Sequence, residues 1–346
     1  MARADRQGKI ASRCKMGPVR AVSDVVMMFR LMLLGVLWTG LSRAAELPRM
    51  PRLHDPSTVV TEKGVSWCFG TGNGVAVLRR DDQGWRHAGE LFPRDALPAW
   101  HREKVPENEG HLWAPDVIRV GSKWWVYYSV SSFGRNRSAI GLASRSKLGP
   151  GTAEEPWVDE GVVIASVRED RFNAIDPAVI ADGGRLWMSF GSFWDGIMMV
   201  ELDRRSGLMK EPGARPLLLA TAPEIEAPFI HREGGWYHLF VNWGKCCRGV
   251  ESTYEIRVGR SREITGPYLD RDGTPLTAGG GSLLLGTRGR FIGPGHASIY
   301  RSSGRPWLMH HYYDGAEAGQ SKLRGVPLKW VDGWPVVEGG AVIGDR

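Results

Sequence analysis

The chain has 346 residues, enough for one large domain or two ordinary ones with a substantial core, and 15 of them are Trp. Its formal net charge of +7 does not indicate a nucleic-acid partner, because the excess is local. The first 44 residues hold eight Lys/Arg against two acids, whereas from residue 45 onward 37 basic residues face 36 acidic ones.

The N-terminal segment reads as an export leader. Arg30 precedes an apolar run over residues 31–38, and Ser42 and Ala44 supply small side chains at the −3 and −1 positions of a cleavage site. A start at Met27 or Met28 would give a signal peptide of ordinary form. The run is shorter than the ~20 apolar residues of a membrane-spanning helix. Residues 1–45 are therefore assigned to the leader segment, with the mature chain expected to begin near Ala45 and 46–346 to form a secreted or periplasmic protein without stable membrane insertion.

Beyond a short extended entry, the chain falls into five strand-rich stretches. The first runs from His54 to about Pro93 and is followed by a loop rich in proline and charge. Each later stretch again pairs a short strand, a Gly-containing turn and an aromatic strand. The aromatic strands read VSWCFGT, KWWVYYSV, RLWMSFGSF, GWYHLFVNW and RPWLMHHYY. No segment has the period of a long amphipathic helix.

A proline phrase precedes each aromatic strand: His54-Asp55-Pro56, Ala114-Pro115-Asp116, Ile175-Asp176-Pro177, Glu226-Ala227-Pro228 and Gly293-Pro294-Gly295-His296. Successive prolines lie 59, 62, 51 and 66 residues apart. Repetition on this scale in a strand-rich chain predicts an all-β, five-bladed β-propeller, with residues 46–346 as its single domain. A β-sandwich would not explain the repeat. Repetition about an axis brings the same point of every blade to one place, so Asp55, Asp176, Glu226 and His296 are expected to meet in a central pocket.

The other candidates follow from position. Asp116 sits after its proline, and is either a fourth pocket carboxylate or a hydrogen-bond acceptor that ties blades together. Trp113, Phe133 and Trp194 flank strands that face the cleft and are expected to stack on the apolar faces of a ligand. Trp125, Trp187, Trp236 and Trp307 lie in the repeated aromatic strand and are assigned to the core between blades. Asn136 and Ser138 are expected to make polar ligand contacts. His54 is expected either to bind a ligand hydroxyl or to make a structural hydrogen bond.

Cys14 lies in the leader, and Cys68, Cys246 and Cys247 have no zinc-site spacing. The adjacent pair Cys246-Cys247 forms either a vicinal disulfide or two free thiols.

The phrases His-Asp-Pro-Ser, Leu-Trp-Ala-Pro-Asp-Val, Ala-Ile-Asp-Pro, Glu-Ala-Pro-Phe-Ile, Cys-Cys-Arg-Gly and Gly-Pro-Gly-His occur in this order between His54 and about Val337. Together they resemble glycoside hydrolase family 43, and within it the arabinan-cleaving enzymes. The resemblance implies a five-bladed propeller that hydrolyses glycosidic bonds with inversion. By matching positions it implies Asp55 as general base, Glu226 as general acid, and Asp176 as a third carboxylate that raises the acid's pKa. It also implies a calcium ion beside His296, with waters completing its shell. Arabinan is then the expected substrate, cut internally by a monomeric enzyme, and the ligand that Trp113, Phe133 and Trp194 stack on and that Asn136, Ser138 and His54 contact is expected to be its sugar. An exo-acting or β-xylosidase-like relative is the alternative on the same fold. A non-catalytic carbohydrate-binding propeller is the alternative outside enzymes.

Overall fold

Every aromatic run lies just after a two-residue turn, and every one becomes the second strand of its blade. Four of these turns, Lys63-Gly64, Gly183-Gly184, Gly234-Gly235 and Ser303-Gly304, have positive φ at both residues. That is the tight hairpin geometry matching the twist of paired strands, and it favours glycine. The computed structural model describes residues 50–338. The export leader predicted over residues 1–45 lies outside them.

Blade one contains β1 (Val60–Glu62) and β2 (Val65–Gly70); after the two-residue β3 (Gly72–Asn73) it is completed by β4 (Ala76–Asp81) and β5 (Gly84–Glu90). A single helical turn, α1 (Trp100–Lys104), leads to blade two: β6 (His111–Val120), β7 (Lys123–Val130), β8 (Ser138–Arg145) and β9 (Val158–Ser166), with β3 paired to β6. Blade three is β10 (Ala178–Asp182), β11 (Arg185–Phe190), β12 (Ile197–Leu202) and β13 (Leu217–Ala220). Blade four is β14 (Ile225–Glu233), β15 (Trp236–Trp243), β16 (Glu255–Ser261) and β17 (Ser282–Leu285). Blade five is β18 (Phe291–Ser302), β19 (Arg305–Asp314), β20 (Gln320–Val331) and β21 (Trp334–Val337). All pairings within the blades are antiparallel. This is the five-bladed β-propeller expected from the repeat.

The core is divided among the blade interfaces. Phe69 and Val77 of blade one pack with Val117 and Val126 of blade two, and Trp125 and Leu142 with Met188 and Val200 of blade three. Met199 of blade three packs with Leu239 of blade four, and Phe240 with Leu308 of blade five. Leu53, Cys68 and Leu78 meet Met309 and Leu323 where blade five returns to blade one. Trp125 is buried as expected, and Trp187 and Trp307 are partly buried against these clusters. Trp236 is instead half-buried between the guanidinium groups of Arg260 and Arg262. Such cation–π contacts favour an edge position over a fully apolar one.

Blades one and five close the ring without exchanging strands, since each is built wholly from its own part of the chain. Besides apolar packing, the seam is held by Ser298 Oγ donating to the Ser57 carbonyl at 3.1 Å and by the Leu323 N–H donating to the Pro51 carbonyl at 3.0 Å.

At the axis each blade opens with one residue in the left-handed region: Asp55 (φ 48°), Ala114 (42°), Asp176 (59°), Ala227 (52°) and His296 (58°). This conformation is costly for residues other than glycine and persists only where the surroundings enforce it. Here the backbone N–H of each corner donates to a side chain of the preceding blade. The Ala114 N–H reaches Thr71 Oγ1 at 2.9 Å, and the Asp176 N–H reaches Ser129 Oγ at 2.9 Å. The Ala227 N–H reaches Asp176 Oδ2 at 3.2 Å, and the His296 N–H reaches Asn242 Oδ1 at 2.8 Å. The Asp55 N–H reaches His311 Nδ1 at 3.1 Å and completes the circle.

Asp116 is buried and accepts from the Thr58 N–H of blade one at 3.0 Å and the Val179 N–H of blade three at 2.8 Å. The hydrogen-bond reading of this residue therefore holds over the pocket reading. Replacing it by Ala leaves two buried donors unsatisfied, so Asp116→Ala should lose about 2–4 kcal/mol of stability. Guanidinium unfolding of the variant beside wild type measures it.

Candidate active site

The left-handed corners aim the inner-strand side chains at the axis, where a cleft of about 1200 Å³ is lined by residues of all five blades. Asp55, Asp176 and Glu226 lie in its wall, as the repeat predicted, whereas His296, expected with them, is buried and does not line it. The environments of the three acids differ.

Asp55 is surrounded by donors and imidazoles. Thr71 Oγ1 donates to its Oδ2 at 2.5 Å, and His54 Nδ1 lies 2.7 Å from the same oxygen. His296 Nδ1 and His311 Nδ1 lie 3.6 and 3.5 Å from Oδ1. Burial by itself would raise the pKa of this carboxyl; His54, with help from His296 and His311, outweighs burial and holds it well below the usual carboxylate range.

Glu226 occupies the other kind of site. Ser192 Oγ donates to its Oε2 at 2.7 Å, and the Tyr254 hydroxyl donates to its Oε1. Burial pushes its pKa up to about 7; the charge of Asp55 adds to this, and the Ser192 hydrogen bond opposes it. Asp176 is pushed well above the usual range by burial and by the charges of Glu226 and Asp55, against one hydrogen bond from the Ala227 N–H. The repulsion between Asp176 and Glu226 acts on both, so the two carboxyls together hold a proton that Asp55 does not. One cleft thus presents an ionised carboxylate and, near neutral pH, a protonated carboxylic acid. That combination can activate water on one side of a bond and protonate a leaving oxygen on the other.

A model of glycosyl hydrolases family 43 matches residues 50–335. The chain belongs to this family. It is 42% identical to the extracellular exo-α-(1→5)-L-arabinofuranosidase of Cellvibrio japonicus (strain Ueda107), over 83% of this chain and 86% of that one. It is 40% identical to the extracellular endo-α-(1→5)-L-arabinanase 1 of Bacillus subtilis (strain 168), over 82% and 87%. Its fold matches the α-L-arabinanase of Cellvibrio cellulosa complexed with arabinohexaose, with a TM-score of 0.79 at 39% identity, over 84% of this chain and 96% of that one.

Within this family 43 propeller the remaining predicted residues separate. Trp113, Phe133 and Trp194 line the cleft, and Phe133 and Trp194 are 78% and 44% exposed, free to meet a ring. Asn136 and Ser138 do not line it, which corrects their assignment as sugar contacts. Asn136 is buried and donates to the carbonyls of Val167 and Asp170, while Ser138 is buried between Ser131 and Asn173. Asn136 satisfies loop backbone, and Ser138 satisfies two other buried side chains. His54 lines the cleft, but both its ring nitrogens are engaged, Nδ1 by Asp55 and Nε2 by the Tyr313 hydroxyl at 2.7 Å; the structural reading holds. His296 is buried behind Asp55. Cys246 and Cys247 are joined as a vicinal disulfide in the cleft wall.

Sequence reasoning missed Thr71, Ser192, Tyr254, His311 and Tyr313. Thr71 and His311 do have a signal, because both stand at the seventh position after the hairpin turn of their blade, level with Ser129 and Asn242. Ser192 and Tyr254 come from loops and strands without a phrase of their own. Since Tyr254 donates to the Glu226 carboxylate, Tyr254→Phe should raise that pKa from about 7 by roughly one pH unit, the size of one charge-assisted hydrogen bond. A carboxyl-carbon NMR titration with labelled Glu reads the change directly.

Proposed function

We propose that the protein is a secreted endo-arabinanase, hydrolysing α-1,5-L-arabinofuranosidic bonds in arabinan with inversion. The observation that carries this is the opposed electrostatics of Asp55 and Glu226 in one cleft. The named activities of the two curated relatives supply the linkage. A cleft of about 1200 Å³ exceeds the ~300–1000 Å³ of common small-ligand sites and suits several sugar units, which favours internal cleavage. The similarity to an exo-acting relative supports release from chain ends as the second reading. Products from linear arabinan separate the two, because early oligosaccharides of mixed length require internal cuts.

In this mechanism Asp55, ionised and held by Thr71 and His54, takes a proton from the attacking water. Glu226 gives its proton to the departing glycosidic oxygen, and Asp176 lies beside the acid, helping to keep it protonated between turnovers. Phe133 and Trp194 pack on sugar faces. The substrate is polysaccharide, and export by the N-terminal leader suits it.

A calcium ion bound at His296 would have to keep most of its own water. His54 and His311 stand with Asp55 within 4.8 Å of one another, but His54 already faces Asp55 and His311 Nδ1 already accepts the Asp55 N–H. His296, held neutral mainly by burial, is the ring left to bind. With so few protein oxygens, water must complete the oxygen-rich shell that calcium prefers. Such an ion would supply positive charge near Asp55 and favour its ionised form.

Asp55→Ala and Glu226→Ala should each lower kcat on arabinan by at least ~100-fold in folded protein, the contribution of one acid or base. On an aryl arabinoside, whose leaving group needs little protonation, Glu226→Ala alone should recover. Near-normal rates in either variant would sink the assignment.

The pH profile has a defined sign. Activity needs Asp55 ionised and Glu226 protonated, so kcat/KM should hold through mildly acidic pH and fall as pH rises through about 7. Initial rates on arabinan across this range test it; a limb falling toward acid in the same range would contradict it.

For the ion, chelator should lower the melting temperature of wild type and leave His296→Ala little changed, since a ligand stabilises only the state that binds it. Elemental analysis after desalting provides the independent count.

A further inference from the structure

The Cys246–Cys247 disulfide takes no part in the chemistry above, yet it stands in the cleft wall and is joined to it by contacts. Its loop is pinned on both sides. The Lys245 N–H donates to Thr253 Oγ1 at 2.9 Å, the Thr253 N–H returns to the Lys245 carbonyl at 3.0 Å, and the Arg248 N–H donates to Ser252 Oγ at 3.0 Å. Between these pins Cys247 has a φ of 65°, a conformation unfavourable for a non-glycine residue. A covalent ring formed by two adjacent side chains and the peptide between them leaves that turn few alternatives.

The turn directs one group. The Cys247 N–H donates to the Tyr313 hydroxyl at 2.7 Å, and the same hydroxyl meets His54 Nε2 at 2.7 Å. His54 stacks on His311 with ring centroids 4.0 Å apart and places Nδ1 2.7 Å from Asp55 Oδ2. Because the Tyr313 oxygen accepts from Cys247, its own proton is directed to His54 when that ring is neutral. The His54 proton then lies on Nδ1, facing Asp55. When the ring is protonated, Nδ1 carries a proton as well. In both states the contact to Asp55 is kept, and its geometry is set by a chain running from blade four through blade five to blade one.

We infer that the vicinal disulfide is a positioning element for Asp55, acting through Tyr313 and His54. The inference rests on Asp55 being the base. Its function is to hold the Cys247 N–H on Tyr313; the disulfide itself is neither a nucleophile nor a redox partner of the substrate.

The test is a double-mutant cycle on arabinan. Cys246→Ser with Cys247→Ser should lower kcat by about tenfold, the scale of a modest misplacement of a reacting group, with KM within about twofold. In a Tyr313→Phe background the same pair should cost less than about twofold more, because the route through Tyr313 is already cut and only the 3.9 Å contact of Cys247 Sγ with His54 Nε2 is left. Reduction of folded wild type by a phosphine should reproduce the loss, and reoxidation should restore it, so the result does not depend on how the Ser variant folds. An unchanged kcat after confirmed reduction would overturn the inference. So would an equal loss in both backgrounds, or a loss confined to KM, which would mark the disulfide as a sugar-contacting wall. Each of these leaves Asp55→Ala inactive, whereas an active Asp55→Ala would remove the base assignment itself.

Discussion

The fold depends on a circle of five left-handed corners at the axis, each held by a side chain of the blade before it. A corner of this kind is unfavourable for an isolated residue and is kept only when its N–H is captured. Because each capture comes from the neighbouring blade, the corners form together with the ring. The acceptors are Thr71, Ser129, Asn242 and His311 at matching places, with one exception. In blade three that place is Gly191, where a Cβ would lie 2.4 Å from the Gly196 carbonyl oxygen, so no side chain fits. The Asp176 carboxylate serves the next corner instead. One of the three acids of the cleft is thereby part of the frame, which fixes its orientation.

The same circle explains how similar burial yields opposite carboxyl groups. The seam between blades five and one brings His54, His296 and His311 around Asp55, and His54, paired with its carboxylate, does most to offset the loss of water. Glu226 instead meets the neutral hydroxyls of Ser192 and Tyr254, and the Asp176 carboxylate the Ala227 N–H, so desolvation prevails. An acid and a base are separated by which blades they border, and no residue on either side differs from an ordinary carboxylate in chemistry.

The separation also bears on robustness. Asp116 joins blades one, two and three from beneath the cleft through two backbone N–H groups, without entering the cleft. Apolar clusters at each interface hold the blades radially, while the corner circle and Asp116 hold them near the axis. Aromatic side chains that remain exposed, Phe133 and Trp194, are then available for ligand because the core does not need them.

The sequence by itself determined the five-fold repeat, the strand that becomes the centre of each blade, and the three carboxylates, because proline phrases and Gly-containing turns are local signals read along the chain. It also narrowed Asp116 and His54 to two roles each. Tertiary structure decided between those roles, since a hydrogen bond to Thr58, Val179 or Tyr313 joins residues far apart in sequence. It moved Asn136 and Ser138 from the surface of the cleft to its underside, because polar type alone does not reveal which way a loop residue faces. It joined Cys246 to Cys247, where the sequence left two states open. It supplied Tyr254, Ser192 and Tyr313, which carry no phrase and gain their meaning only when the ring closes, and it gave Thr71 and His311, marked by their place after the turn, their partners at the axis. Identity of residue and repeat place a carboxylate at the axis; only the neighbours contributed by other blades decide whether it keeps or loses its proton.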